Sequence, residues 1–143
     1  MTTRAETNAF VGLIREHPQL VTVTFVTIAK HPPPREAEKV LPPYVLVHPS
    51  GGPDERERFT GPQVHRRPSF GVHCVGYTAD QALLLADFVD GQLRPNGRGR
   101  KPVVPSRRTG RIVRDGNFGV LIDDDVTPPL VYAALEYAFK SNP

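Results

Sequence analysis

Sixteen prolines and twelve glycines are spread along 143 residues, and that punctuation limits every regular element the chain can form. Proline lacks the amide proton that a helix interior needs, and it pushes the preceding residue out of the helical region. Such a chain folds into short elements joined by many turns, not into long helices. At this length one core is the expectation, because two would leave both halves marginal. Hydrophobic residues make up 38% and charged residues 23%, which allows a core but a thin one. No apolar run approaches the roughly 18 residues of a membrane helix. The polar segment after Met1 does not read as a signal peptide. A soluble protein, intracellular at synthesis, is expected.

Residues 5–17 read as a helix capped by Thr7 or Asn8, with Phe10, Leu13, Ile14 and His17 at helical spacing. Pro18 ends it. Leu20–Ala29 is rich in β-branched residues and reads as a strand, Val21, Val23 and Phe25 alternating with Thr22 and Thr24. After the proline-stiffened connection from His31 to Glu38, Pro42–His48 is a second strand. Pro53–Ser69 is charged, nearly without aliphatics, and reads as an exposed loop. Phe70–Tyr77 is a third strand with Phe70, Val72 and Cys74 on one face. Thr78 or Asp80 then caps a helix over Ala79–Leu93, whose apolar stripe is Ala82, Leu85, Ala86, Val89 and Leu93. Leu83, Leu84 and Phe88 widen that stripe, which suits a helix lying on a sheet or shared with a neighbour.

Arg94–Lys101 reads as a flexible basic loop. Asp115-Gly116-Asn117 lies between the apolar runs Gly110–Arg114 and Phe118–Ile122, a strong hairpin signal. In residues 130–140 the alternation of Val131, Ala133, Leu135, Tyr137 and Phe139 favours a strand, although Leu130, Ala133, Ala134, Tyr137 and Ala138 also fit a helix. The order α-β-β-β-α-β-β-β implies one α+β domain over residues 1–143. A small mixed or antiparallel sheet would carry two helices on one face, with exposed loops at about 53–69 and 94–111.

The search for chemistry finds little. The lone Cys74 excludes an intramolecular disulfide and any zinc site built on a cysteine pair. The five histidines (17, 31, 48, 65 and 73) form none of the ligand spacings that hold a metal. His73 and Cys74 are neighbours on a strand, so they point to opposite faces and cannot pair as base and nucleophile. Asp123-Asp124-Asp125 lacks the alternating carboxylates and distal glutamate of a calcium loop and reads as a solvated turn. No phosphate loop and no Gly-x-Ser-x-Gly element exists. No catalytic residue, cofactor or metal is assigned.

Charge is uneven. Residues 94–114 hold eight Lys/Arg and no acid, so the net +3 of the chain less these eight leaves −5 on the remainder. Phosphate contact by this stretch is conceivable, but it contains no aromatic residue for base stacking and no helix-turn-helix or zinc finger accompanies it. A partner-facing arm is the preferred reading, with a weak sequence-blind attraction to DNA.

The succession of elements resembles the tail terminator family of long-tailed bacteriophages, in the form common in actinobacterial phages. The likeness lies in the N-terminal helix, the β-branched strand and Leu41-Pro42-Pro43-Tyr44-Val45-Leu46-Val47. It continues through Phe70–Tyr77, through Thr78-Ala79-Asp80-Gln81-Ala82 entering a Leu-rich helix, and through Asp124-Asp125-Val126-Thr127-Pro128-Pro129 before a Tyr-containing final strand. The resemblance implies a non-enzymatic structural subunit of the virion, assembled in the bacterial cytoplasm. It implies a ring, typically a hexamer, at the neck, which caps the tail tube, stops its elongation and offers a surface to the head-completion or stopper protein. By that analogy Arg56, Arg58, Arg66, Arg67, Arg98, Arg100, Lys101, Arg107 and Arg108 are candidates to face a partner or the lumen. Leu83, Leu84, Phe88, Tyr132 and Tyr137 are candidates for the ring interface. Competing readings are another neck component, a nucleic-acid-binding module using the basic arm, and a small hydrolase.

Overall fold

The computed structural model describes residues 2–27, 41–50, 54–56, 64–125 and 128–143. Helix α1 spans Arg4–Arg15 and helix α2 spans Ala79–Leu93. The strands are β1 (Thr24–Val26), β2 (Tyr44–Ser50), β3 (Asp54–Arg56), β4 (Val64–Arg66), β5 (Ser69–Gly76), β6 (Arg108–Thr109), β7 (Val113–Asp123), β8 (Leu130–Ala138) and β9 (Ser141–Asn142). They form a five-stranded sheet in the order β1-β2-β5-β8-β7 and a small four-stranded sheet in the order β3-β4-β9-β6. β1 runs parallel to β2, and the other ladders are antiparallel. This is the α+β arrangement that the element order implies.

Strand alternation decides which side of the larger sheet meets the helices. Val45 and Val47 of β2, Phe70, Val72 and Cys74 of β5, and Ala133, Leu135 and Tyr137 of β8 share one face. They pack with Phe10, Val11 and Ile14 of α1 and with Ala82, Leu85, Ala86, Val89 and Leu93 of α2. Both helices therefore lie on one side. Phe10 stacks on Phe70 with ring centroids 4.1 Å apart, and Phe139 lies 6.0 Å beyond, so three aromatic rings link α1, β5 and the chain's last residues. Burial of such rings is worth roughly 2–3 kcal/mol each. Residues 130–138 adopt the strand that the alternation favours.

Several local expectations change. The cap of α1 is Thr3, not Thr7 or Asn8, and it forms a capping box with Glu6. In the first strand Thr24 is buried while Val21 and Val26 are exposed, because the Thr24 hydroxyl donates to the Leu20 carbonyl at 2.7 Å and is satisfied inside. Within the expected strand 20–29, Thr24–Val26 is strand and residues 28–29 lie outside the described residues.

No hairpin forms at Asp115-Gly116-Asn117. β7 runs straight through it, pairing along β8 and absorbing the extra residues in irregularities at 114–116 and 117–120. A type I′ turn needs two consecutive residues at positive φ, and in this stretch only Gly119 has it, at 74°. The long β8 template outweighs the local turn preference.

The expected loop 53–69 contains β3 and β4, paired with each other and, through Arg66 and Ser141, with β9. Residues 53 and 57–63 of that stretch lie outside the described residues. The basic stretch 94–111 is not a free arm either. Pro102 and Val104 are buried, the Arg100 amide donates to the Leu93 carbonyl, and the Arg100 carbonyl accepts from Ile112. Gly99 permits this close approach, since a Cβ there would sit 1.8 Å from the Ile112 carbonyl oxygen.

Glu6 ties the two chain ends together. Its side chain is fully buried. One oxygen accepts the Thr3 amide at 3.0 Å, while Arg66 stands 3.9 Å and Arg107 4.0 Å from the carboxylate. Arg107 also donates to the Ser141 hydroxyl and carbonyl at 2.7 and 2.6 Å. Burial alone would raise the Glu6 pKa, but hydrogen bonds from Ser141 and Thr3 and the Arg66 charge outweigh it and hold the pKa below 4.5. The carboxylate therefore stabilises the fold above about pH 4.5, and that contribution fades as pH falls through the lowered folded-state value.

Glu6→Ala should cost about 3 kcal/mol at pH 7 by urea unfolding, since it removes the buried carboxylate that Arg66 and Arg107 face. The gap between wild type and Glu6→Gln should narrow below pH 4.5, and a pH-independent gap would count against the charge as the cause. Gly99→Ala should lift the basic stretch off the body, so that trypsin cuts at Arg98 and Arg100 far faster than in wild type; unchanged digestion would refute the close-approach argument.

Candidate functional site

The eight cations of residues 94–114 divide into two groups. Arg100 pairs with Glu16 at 2.6 Å, and Arg94 and Arg114 stand 3.7 and 3.8 Å from Asp90. Arg107 serves Glu6 and Ser141, as described above. These four are spent on the fold. Arg98, Lys101, Arg108 and Arg111 are exposed, and Arg111 donates to the Gly99 carbonyl at 2.9 Å. Arg98, Lys101 and Arg108 make no ion pair among the described residues, so they form the outward charge of the stretch.

The remaining candidates of the cationic set are also dispersed. Arg66 lies beside Glu6, and exposed Arg67 makes a two-point bond to Asp115, both distances 2.8 Å. Such a fork is geometrically specific but contributes at most about 1 kcal/mol at the surface. Arg56 is in β3, and Arg58 lies outside the described residues.

Two apolar patches stand out on the surface of the described residues. Leu83 and Leu84 are half exposed on the outer side of α2, where the widened stripe turns past the core. Phe88, in the same helix, is partly buried and stacks on His17 at 4.5 Å. The second patch is β7, which ends the larger sheet and carries exposed Val113, Phe118, Val120, Leu121 and Ile122. An 11-residue edge strand with five exposed apolar side chains is a template for pairing with another chain. Its importance is legible only once β7 is seen to be one strand and not a hairpin.

Tyr137 is a core residue, not a surface one. It is fully buried, its hydroxyl donates to Asp90 at 2.8 Å, and burial followed by that bond drives its pKa upward. Strand alternation put Tyr137 on the helix side, where α2 supplies a carboxylate partner. Cys74 is likewise buried on the helix side, and burial pushes its thiol pKa up, so it stays protonated and inert.

The opposite sheet face holds a feature that no sequence spacing announces. Tyr44, Leu46, Val75 and Leu130 cluster there, with Val23, Phe25 and Tyr132 against them. His48, His73 and Tyr132 form a row, His73 standing 4.7 Å from the His48 ring and 5.0 Å from Tyr132. The His48 Nδ1–H donates to the Thr27 carbonyl, which fixes that tautomer, because a carbonyl only accepts. At one end of the row a cavity of about 290 Å³ opens, lined by Tyr44, His73, Val75, Ile122, Leu130, Tyr132 and the acidic turn Asp123–Asp125.

Three adjacent strands contribute to that cavity through register. β5 sets His73 and Val75, β8 sets Leu130 and Tyr132, and the end of β7 brings Asp123 opposite Leu130. Tyr44 is 2% exposed and lines the cavity, and its hydroxyl has no hydrogen-bond partner among the described residues. Burial, then the Asp123 charge, raises its pKa. Among the described residues no group of three or more His, Cys, Asp or Glu side chains is arranged to hold a metal ion, and no helix is long and apolar enough to cross a membrane.

Burial, assisted by the neighbouring His48, pushes the His73 pKa down from 6.5 to about 4. The unfolded chain therefore binds a proton between these values while the folded protein does not, and stability declines as pH falls across that window. The loss should be on the order of 3 kcal/mol at most. His73→Leu should flatten the stability profile between pH 6.5 and 4, and an imidazole of His73 that titrates near 6.5 by NMR would disprove the assignment.

No protein-family model matches the chain, and no curated protein matches it in sequence. Among solved structures, one chain of "Virion of native gene transfer agent (GTA) particle" is similar over 94% of this chain and 92% of its own length, with a TM-score of 0.59 and 16% sequence identity. At that identity the likeness is one of fold, and it extends over nearly the whole of both chains.

Proposed function

We propose that the protein is a structural component of a phage-like virion and, within that class, a tail terminator. In this reading it forms a ring on the end of a tail tube, stops its elongation and presents the surface to which head-completion proteins attach. The observation that carries the proposal is the pair of unlike apolar patches on one small subunit. The Leu83–Leu84 side of α2 and the edge strand β7 are different surfaces. A head-to-tail ring needs two dissimilar faces on every subunit, whereas a twofold dimer needs one. The fold shared with a chain of a gene transfer agent virion supports the same class, and so does the sequence resemblance to tail terminators.

The site chemistry agrees. Cys74 is protonated and buried, and the half-buried His73 lies on the other sheet face. A ring role asks only for complementary surfaces. Outward Arg98, Lys101 and Arg108 would also give a weak contact with DNA, whose affinity falls steeply with salt.

Purified protein, measured by light scattering with and without assembled tail tubes, should reach about six times the 15.8 kDa protomer mass on the tube, if not before. Leu83→Lys with Leu84→Lys should weaken assembly at least tenfold while leaving the folded spectrum unchanged, and Phe118→Asp should do the same from the other face. A protein that remains at protomer mass and ignores tubes would overturn the reading. A ring that binds portal complexes but not tubes would move it to a stopper or adaptor role.

A further inference from the structure

The sheet is electrically polarised along its strands. β8 begins at Leu130, opposite Asp123 and beside the acidic turn, and it leads to Ser141, opposite Thr109 of the basic stretch. Its nine residues span about 30 Å. α2 returns along the same direction, because β5 ends at Gly76 opposite Val131, while Asp90 near the helix C-terminus reaches Tyr137. The chain from Arg94 onward is therefore at the far end from the acidic turn. One end carries Asp123, Asp124 and Asp125; the other carries outward Arg98, Lys101 and Arg108.

We infer that the cavity bounded by Tyr44, His73, Tyr132 and the Asp123–Asp125 turn is a receptor for an arginine or lysine side chain from the basic stretch of a neighbouring copy. This deepens the ring reading and rests on it. Tyr44 supplies an observation independent of the acidic turn, since its nearly inaccessible side chain lines the cavity and its hydroxyl has no partner among the described residues. That hydroxyl is not one of the fully enclosed unpartnered atoms, so it is reachable through the cavity, where an incoming donor or acceptor can pair with it. A volume of about 290 Å³ is at the lower end of small-molecule sites, suited to one long side chain.

Its walls are specific about the occupant. Aromatic faces at Tyr44 and Tyr132 favour a flat cation, and carboxylates at the mouth accept its N–H groups. A guanidinium satisfies both demands, which is why arginine is preferred to lysine here. A hard metal ion is not, as the described carboxylates do not converge. The exposed Ile122 at the rim would cover the aliphatic stem of the inserted side chain. Because donor and receptor lie at opposite ends of the subunit, each copy fills its neighbour's cavity while its own is filled by the next, and the contact is heterologous by construction.

The test uses full-length protein whose own stretch has lost its charge, Arg98→Gln with Lys101→Gln and Arg108→Gln. A synthetic peptide of residues 94–111 is titrated into it while the His73 and Tyr132 signals are followed by NMR. Saturable shifts are expected, weakened at least tenfold by adding Asp123→Asn and Asp124→Asn. No shift, or shifts indifferent to the aspartates, would overturn the proposal whether or not rings form. In the second arm, Asp123→Lys with Asp124→Lys should disrupt the wild-type ring, as should Arg98→Glu with Lys101→Glu and Arg108→Glu. Both sets in one chain should restore it. Rings unaffected by either set would defeat the inference and leave the terminator reading intact, and a basic peptide of another protein binding in their place would do the same. A wild-type chain that forms no ring removes the terminator reading, and the peptide titration then decides the receptor alone.

Discussion

The fold depends on one buried carboxylate. Glu6 sits in the first turn of α1 with no access to water; Thr3 from the helix start donates to Oε1, Arg66 and Arg107 from two later segments stand 3.9 and 4.0 Å from the carboxylate, and Oε2 accepts no hydrogen bond among the described residues. An uncompensated charge in such a place would cost several kcal/mol, so every one of these elements must arrive for any to be stable. The clamp draws β4, β6 and β9 into the small sheet and holds the basic stretch against the body. Above it, the Phe10–Phe70–Phe139 stack joins the same helix to the same chain terminus by apolar contact.

That arrangement changes the meaning of the basic stretch. Its sequence suggests an arm waiting for a partner, yet half of its cations neutralise Glu6, Glu16 and Asp90 of the protein itself. The remaining cations project from a backbone already fixed by Gly99, Pro102 and Val104. A fixed cation loses less freedom on binding than one on a mobile loop, and contact by a rigid end is easier to make specific. The acidic turn and its aromatic cavity occupy the other end of the strands. Assembly through unlike ends follows from that polarity more directly than from net charge.

The two sheet faces divide the labour. The helix side buries Cys74 and Tyr137 and is a core. The other side carries histidines and tyrosines in a row, where the low His73 pKa keeps that ring neutral at ordinary pH and the cavity mouth holds the negative charge. Edge strand β7 continues this surface with apolar side chains, as a subunit built for neighbours would.

By itself the sequence determined what short-range physics controls. The stripe of α2 and the alternation of Phe70, Val72 and Cys74 were legible, since 3.6- and 2-residue periods report burial directly, whereas the cap lay between Thr78 and Asp80 and residues 130–140 fitted both periods, the strand being favoured. Tertiary structure alone decided the rest. Whether Asp115-Gly116-Asn117 turned or continued depended on the β8 template, and whether Thr24 faced inward depended on the Leu20 carbonyl. Glu6 and Arg107 are 101 positions apart, and Tyr44 and Asp123, which line one cavity, are 79 apart, so no local pattern could pair them. Charge compensation and cavity formation are long-range effects, and only the folded register brings their partners within reach.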